Sequence, residues 1–196
     1  MTKQIKEKCK NVKLVITDVD GILTDGGMYY SESGEELKKF NVRDGIGAIL
    51  LKNSGIKIGA FTGEPLELNE RRLKKIGFDF MFKSVSDKLS CLNKYLEENN
   101  LKPENVAYIG DEINDYCLLD KVGVFFTVPD ANPIIKEKAD HILETAGGDG
   151  ALREAALTIL SAQGKLQQAL ESYLERSKQN GTNIKRNVFI PFSRGS

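Results

Sequence analysis

Residues 13–27 read KLVITDVDGILTDGG. Positions 14–17 are apolar or β-branched without a break, as expected for a strand buried on both faces rather than one with a solvent side. The run ends in Asp18-Val19-Asp20-Gly21. Carboxylates two positions apart leave a strand end in the same direction, and Gly21 permits a sharp turn behind them. One such carboxylate can attack phosphorus, while the other protonates a leaving oxygen and then activates water. A solvated Asp-x-Asp-Gly turn is the plain alternative.

Working outward, IKIGAF (56–61), FDFMF (78–82), NVAYIG (105–110) and GVFFTV (123–128) read as further buried strands, and HIL (141–143) is strand-like around the single histidine, His141. Helical patterns fall between them. DGIGAILLKNSG (44–55) ends at Gly55, and LELNERRLKKIG (66–77) follows Pro65 in the first turn and ends at Gly77. Ser86 is placed to cap a helix running to about Asn99. A helix through CLLDKV (117–122), one starting at Pro133 and one long helix from Ala151 to about Ser177 complete the series. MYYS (28–31) and ELKKF (36–40) flank Ser33-Gly34 and predict a hairpin. Alternating strands and helices predict an α/β fold, a doubly wound parallel sheet with a small hairpin. Residues 1–178 read as one domain and 179–196 as a loose tail without periodicity.

Each strand end carries polar chemistry. Thr62-Gly63 offers a hydroxyl and backbone N–H groups suited to an anion, although threonine is also a common helix cap. Lys88 starts a helix, where a cation is electrostatically misplaced unless an anion lies near. Asp111, Glu112 and Asp115 crowd the end of the 105–110 strand. Such carboxylates repel one another unless a hard cation joins them, and oxygen ligands suit Mg²⁺. Open α/β sheets bind ligands at the carboxyl ends of their strands, so the four groups converge there.

The bulk composition is that of an ordinary globular protein, 40% hydrophobic and 29% charged, with zero formal net charge. It offers no electrostatic recruitment to nucleic acid or to an anionic membrane. Cys9, Cys91 and Cys117 have no CxxC spacing, so reduced thiols in a cytoplasmic protein are expected. The first ten residues lack the apolar stretch of a signal peptide.

The ordered set DVDG, TGE, DKL and GDEIND resembles the haloacid dehalogenase superfamily of phosphatases over about residues 13–160. The resemblance implies a Rossmann-like core. It implies Asp18 as nucleophile and Asp20 as general acid/base, with Mg²⁺ held by Asp18, Asp20 and Asp111 and supported by Glu112 and Asp115. It gives Thr62, Gly63 and Lys88 to the phosphate. Glu112 departs from the aspartate usual after Gly-Asp. Neither the gap from Asp20 to Thr62 nor that from Thr62 to Lys88 has room for a cap domain.

DVDGILTDGGMYY (18–30), GEELKKFNVRDG (34–45) and GGDGALREAALTILSAQGKL (147–166) look like the capless tetrameric phosphatases of 3-deoxy-D-manno-octulosonate 8-phosphate (KDO 8-phosphate). Close relatives act on nine-carbon ulosonate 9-phosphates. Arg43 and Asp44 look like the eight-carbon branch. Glu64, where that branch usually has arginine, and Lys75 look like the nine-carbon branch. Arg72 matches both and is implied to meet a sugar carboxylate across a subunit interface. The implied partners are a phosphorylated sugar acid and further copies of the chain, most simply in a tetramer.

Other classes fit less well. A receiver-type signalling domain carries its paired acids on the first strand and its phospho-acceptor after the third, which is the wrong order here. A silent scaffold would lack motif residues that are present. A phosphomutase needs a cap to keep its intermediate dry.

Overall fold

Strand β1 (Leu14–Asp18) is buried along its whole length, as the unbroken apolar run predicts. Its side chains divide by period two: Val15 enters one core, while Leu14 and Ile16 enter the other. The computed structural model describes residues 2–182. After helix α1 (Lys3–Lys10) and β1, the chain forms β2 (Thr24–Ser31), β3 (Gly34–Phe40), α2 (Arg43–Asn53), β4 (Lys57–Phe61), α3 (Glu67–Lys75), β5 (Phe80–Phe82) and α4 (Lys88–Glu98). It continues with β6 (Val106–Ile109), β7 (Val124–Thr127), α5 (Pro133–Lys138), β8 (His141–Ile142), α6 (Ala151–Ala162) and α7 (Leu166–Thr182).

Six strands form one sheet in the order β5-β4-β1-β6-β7-β8, and every neighbouring pair is parallel. Helices cover both faces. One core packs Ile5 and Cys9 of α1, Leu50 and Leu51 of α2, and Ile159 and Leu160 of α6 against Val15, Ile58 and Ile109. The other packs Leu92 and Leu96 of α4 and Ile135 of α5 against Ile16, Tyr108 and Phe125. The doubly wound sheet is therefore present. The chain builds outward from β1 in one direction through β4 and β5, then returns to β6 and builds in the other. The crevice at such a reversal lies at the carboxyl ends of β1 and β6, where ligands bind in open sheets of this type. The antiparallel β2–β3 hairpin stands apart from the main sheet. Among the described residues there is no separate cap domain.

Several expectations need correction. The pattern read as one helix from Ala151 to Ser177 is two helices, because Gly164 takes φ +67° between them. Helix α7 reaches Thr182, into the stretch expected to be a loose tail, and the remainder of that expectation lies outside the described residues. Pro65 is not helical: α3 begins at Glu67, with Leu66 at its cap. The cap of α4 is Asp87, whose carboxylate accepts from Ser90 N at 3.0 Å, not Ser86. The helix expected through residues 117–122 is a 3-10 turn over Ile113–Leu118, closed by a capping box between Glu112 and Asp115. Helix α1 was not read in the sequence at all, because it buries only Ile5 and Cys9. The His141 ring meets the Phe126 ring edge-on at 5.9 Å. The three cysteines are free thiols, and among the described residues no helix is long and apolar enough to cross a membrane.

Candidate active site

Asp18 ends β1 and is nearly fully buried. Its Oδ1 accepts from Val19 N at 2.7 Å, and its Oδ2 accepts from Lys88 Nζ at 2.9 Å. Lys88, the first residue of α4, also donates to Asp115 Oδ1 at 2.6 Å. Tyr108 OH donates to the same Asp115 oxygen at 2.6 Å. The other Asp115 oxygen accepts from Asp111 N at 3.0 Å and Glu112 N at 3.4 Å. A lysine buried at a helix start is thus explained by two carboxylates from β1 and the turn after β6. Burial pulls the Lys88 ammonium down, but Asp115 and Asp18 outweigh it and hold it above the ordinary lysine value.

Asp111 lies across from Asp18. One ligand atom from each of Asp18, Asp111 and Asp115 falls within 4.8 Å of the others. The three do not play equal parts, since the Asp115 oxygens are engaged by four donors. Asp111 Oδ1 is buried with no hydrogen-bond partner. Burial, then Asp18 and Asp115, push Asp111 up to about 8. Burial and Asp115 likewise push Asp18 up to about 7, against the opposing pull of Lys88. A buried acceptor without a partner and two uplifted carboxylates are what a cation would relieve. An all-oxygen donor set fits Mg²⁺ better than a soft metal.

Asp20 extends from the loop after β1, and its Oδ1 accepts from Lys38 Nζ at 2.6 Å. Sequence reading missed Lys38, because a lysine among the charged residues of ELKKF reads as solvent-facing. Thr62 directly follows β4 and is buried. Its hydroxyl oxygen accepts from Glu64 N at 3.1 Å, which leaves the hydroxyl proton available to an anion. A cleft of ≈ 250 Å³ opens over these groups, lined by Asp18, Asp20, Gly21, Gly26, Gly63, Glu64, Asp111, Glu112 and Asn114. A hollow of ≈ 300 Å³ beside α3 and β5 holds none of the motif residues, so chemistry rather than volume marks the site.

The structure brings together Asp18, Asp20, Thr62, Gly63, Lys88, Asp111 and Asp115. Glu112 lines the cleft, yet its Oε1 accepts from Ile113 N and Asn132 Nδ2 rather than joining the acid cluster. Of the five substrate residues the sequence suggested, Glu64 alone lines the cleft. Asp44 is a buried carboxylate where α2 meets α6, accepting from Arg153 N at 3.4 Å and pushed up by burial to about 6. Arg72 donates to Asn41 O at 2.6 Å and stacks over Phe40. Arg43 reaches Asp149 O at 3.4 Å, and Lys75 ends α3.

Comparison with known proteins agrees with this geometry. Residues 72–154 match the family model described as haloacid dehalogenase-like hydrolase. The KDO 8-phosphate phosphatase KdsC of Escherichia coli K12 is 43% identical over 162 residues, 83% of this chain and 86% of that protein. The crystal structure of the Yersinia pestis KDO 8-phosphate phosphatase superposes with a TM-score of 0.83 at 39% identity, covering 85% of this chain and 90% of that one. The Moraxella catarrhalis phosphatase, solved with magnesium, phosphate and KDO, gives a TM-score of 0.85 at 34% identity, covering 88% of this chain and 99% of that one. At this identity and coverage, with the motif residues gathered at one crevice, the chain belongs to the KDO 8-phosphate phosphatase family of haloacid dehalogenase-like hydrolases.

Proposed function

We propose that this chain hydrolyses KDO 8-phosphate through an aspartyl-phosphate on Asp18. The observation that carries this reading is the buried Asp18–Lys88–Asp115 array, open to a cleft lined by Asp20 and Asp111, in a chain of this phosphatase family. Asp18, Asp111 and the backbone of Asp20 would hold Mg²⁺, which leaves the Asp20 carboxyl to proton transfer, with Asp115 and Glu112 orienting the loop. When bound, the metal would neutralise charge on the phosphate and on Asp18.

The residues then divide the work. Lys88 holds one Asp18 oxygen and neutralises the transferring phosphoryl group, while Thr62 and the Gly63 backbone anchor its oxygens. As the bond from Asp18 to phosphorus forms, the bond from phosphorus to the sugar oxygen breaks. That oxygen takes its proton from Asp20. Asp20 then takes a proton from water as the water oxygen bonds phosphorus, and the Asp18–phosphorus bond breaks to release phosphate, restoring the Asp18 carboxylate and the protonated Asp20.

Small substrates need enclosure that an open cleft does not provide. Tyr29, Tyr30, Leu37 and Val42, on or beside the hairpin, expose large apolar surface, which supports closure by neighbouring copies in a tetramer. Arg72 then acts at such an interface rather than in the cleft of its own chain. Sedimentation showing a fully active monomer would remove this part of the proposal.

Glu64 at the cleft favours a second reading, hydrolysis of a nonulosonate 9-phosphate. Phosphate release from KDO 8-phosphate, nonulosonate 9-phosphates and generic sugar phosphates, each with Mg²⁺, tests both. Equal rates on generic sugar phosphates would reject an ulosonate substrate while leaving the reaction class intact. Glu64→Arg should shift the ratio of kcat/KM between eight- and nine-carbon substrates by about tenfold, because a carboxylate accepts hydrogen bonds that a guanidinium cannot. Equal losses on both would clear Glu64 of any part in specificity.

A further inference from the structure

Among the described residues the buried lysines are Lys88 and Lys38. The phosphate site accounts for the first. The second stands on β3, where the usual alternation is inverted: Leu37 is 60% exposed, while the Lys38 side chain is 1% exposed. Turning an apolar side chain out and a charged one in costs stability, since a buried cation needs a partner. That partner is Asp20, whose Oδ1 lies 2.6 Å from Lys38 Nζ. The Thr24 hydroxyl donates to the same oxygen at 3.5 Å, and it accepts from Gly26 N at 3.2 Å and Gly21 N at 3.4 Å. Both side-chain bonds to this carboxylate therefore fall on Oδ1. Oδ2 is left for proton exchange on a side chain that lines the cleft. Without them, rotation about the Asp20 side-chain bonds would carry Oδ2 away from the leaving oxygen.

We propose that Lys38 is a positioning residue for phosphoryl transfer, pinning the Asp20 carboxylate so that its second oxygen meets the departing alkoxide. The hairpin thus takes part in catalysis as well as covering surface. The proposal rests on Asp20 acting as the general acid, as argued above.

The leaving group separates this role from a structural one. A nitrophenolate departs without a proton, whereas a sugar alkoxide does not, so a fault in proton delivery falls mainly on the alkyl ester. kcat/KM reports the steps through loss of the leaving group. Lys38→Met, Lys38→Arg and Asp20→Asn are to be compared on KDO 8-phosphate and p-nitrophenyl phosphate, with thermal unfolding as a check of fold. Lys38→Met should lose at least about tenfold more kcat/KM on the sugar phosphate than on the aryl phosphate, and Lys38→Arg should recover part of that difference. If Lys38→Met does not fold, Lys38→Gln, which keeps a neutral donor, carries the same comparison. Equal losses on the two substrates for the Lys38 variants, with Asp20→Asn still discriminating, would overturn the role of Lys38. Equal losses for Asp20→Asn itself would instead overturn the assignment of Asp20 as the acid.

Discussion

Asp111 occupies the space that a side chain on Gly21 would need: a Cβ at position 21 would lie 2.0 Å from Asp111 Oδ2. Gly21 also takes φ +89°, a region disfavoured for residues with a side chain. The loop after β1 and the turn after β6 are therefore fitted to each other at the point where a cation would sit. Gly21→Ala should displace Asp111 and strain the loop, at a cost of more than about 1 kcal/mol in stability. Turnover should fall by about a hundredfold, the scale of a small misplacement in an active site. Steady-state kinetics as a function of Mg²⁺, with half-saturation unchanged in the variant, would count against this coupling.

Asp18→Asn keeps the shape of the side chain and its acceptor for Val19 N or Lys88, so the fold should survive. It removes the attacking carboxylate. Turnover should drop by about a thousandfold or more, roughly 4 kcal/mol of barrier. Near-normal turnover in a variant with an unaltered circular dichroism spectrum would sink the aspartyl-phosphate assignment.

Lys88 stands between two buried carboxylates, 2.9 Å from Asp18 and 2.6 Å from Asp115. Lys88→Met leaves both without a cation. The expected loss is about 3–5 kcal/mol at neutral pH, the usual cost of breaking a buried pair from one side. The loss should shrink at pH 5, where a carboxylate can take a proton instead. Urea unfolding in chelator measures it, and a loss below about 1 kcal/mol at neutral pH would show that the pair is not insulated from water.

The two uplifted acids of the cleft set a pH dependence for the metal-free protein, and Asp44, pushed up to about 6, adds to it in the same direction. Asp18 rises from 3.8 to about 7 and Asp111 from 3.8 to about 8. Between pH 4 and 8 the folded state therefore holds more protons than the unfolded one. On this account stability should be highest at low pH and fall as pH rises through that window. A divalent cation competes with those protons. Added Mg²⁺ should raise Tm more at pH 8 than at pH 5.5, as read by calorimetry. An equal shift at both values would mean that Mg²⁺ does not bind at these carboxylates.

Much of this was legible along the chain because the signals are local. Apolar runs such as 14–17 and 106–109 are buried on both sheet faces, and a run of that kind needs no distant partner to be recognised. The acids, the hydroxyl and the lysine follow strands at short distances, so their convergence comes from parallel topology. Features that depend on distant parts of the chain were not legible. Gly164 lies inside a periodic apolar pattern, and only its left-handed backbone turns one helix into two. The packing of Asp44 against α6 and of Arg72 against the base of the hairpin is of the same kind, since each partner lies far off in sequence.

The sequence by itself determined the sheet, the reaction class and the set of residues at the strand ends, since strand periodicity and motif spacing are properties of neighbours along the chain. Tertiary structure alone decided that Asp115 spends its oxygens on Lys88, Tyr108 and two backbone amides. It alone left Asp111 Oδ1 without a partner and turned Lys38 inward onto Asp20. Each of these outcomes depends on which groups remain unsatisfied once water is excluded, and that is settled only when segments remote in sequence are packed together.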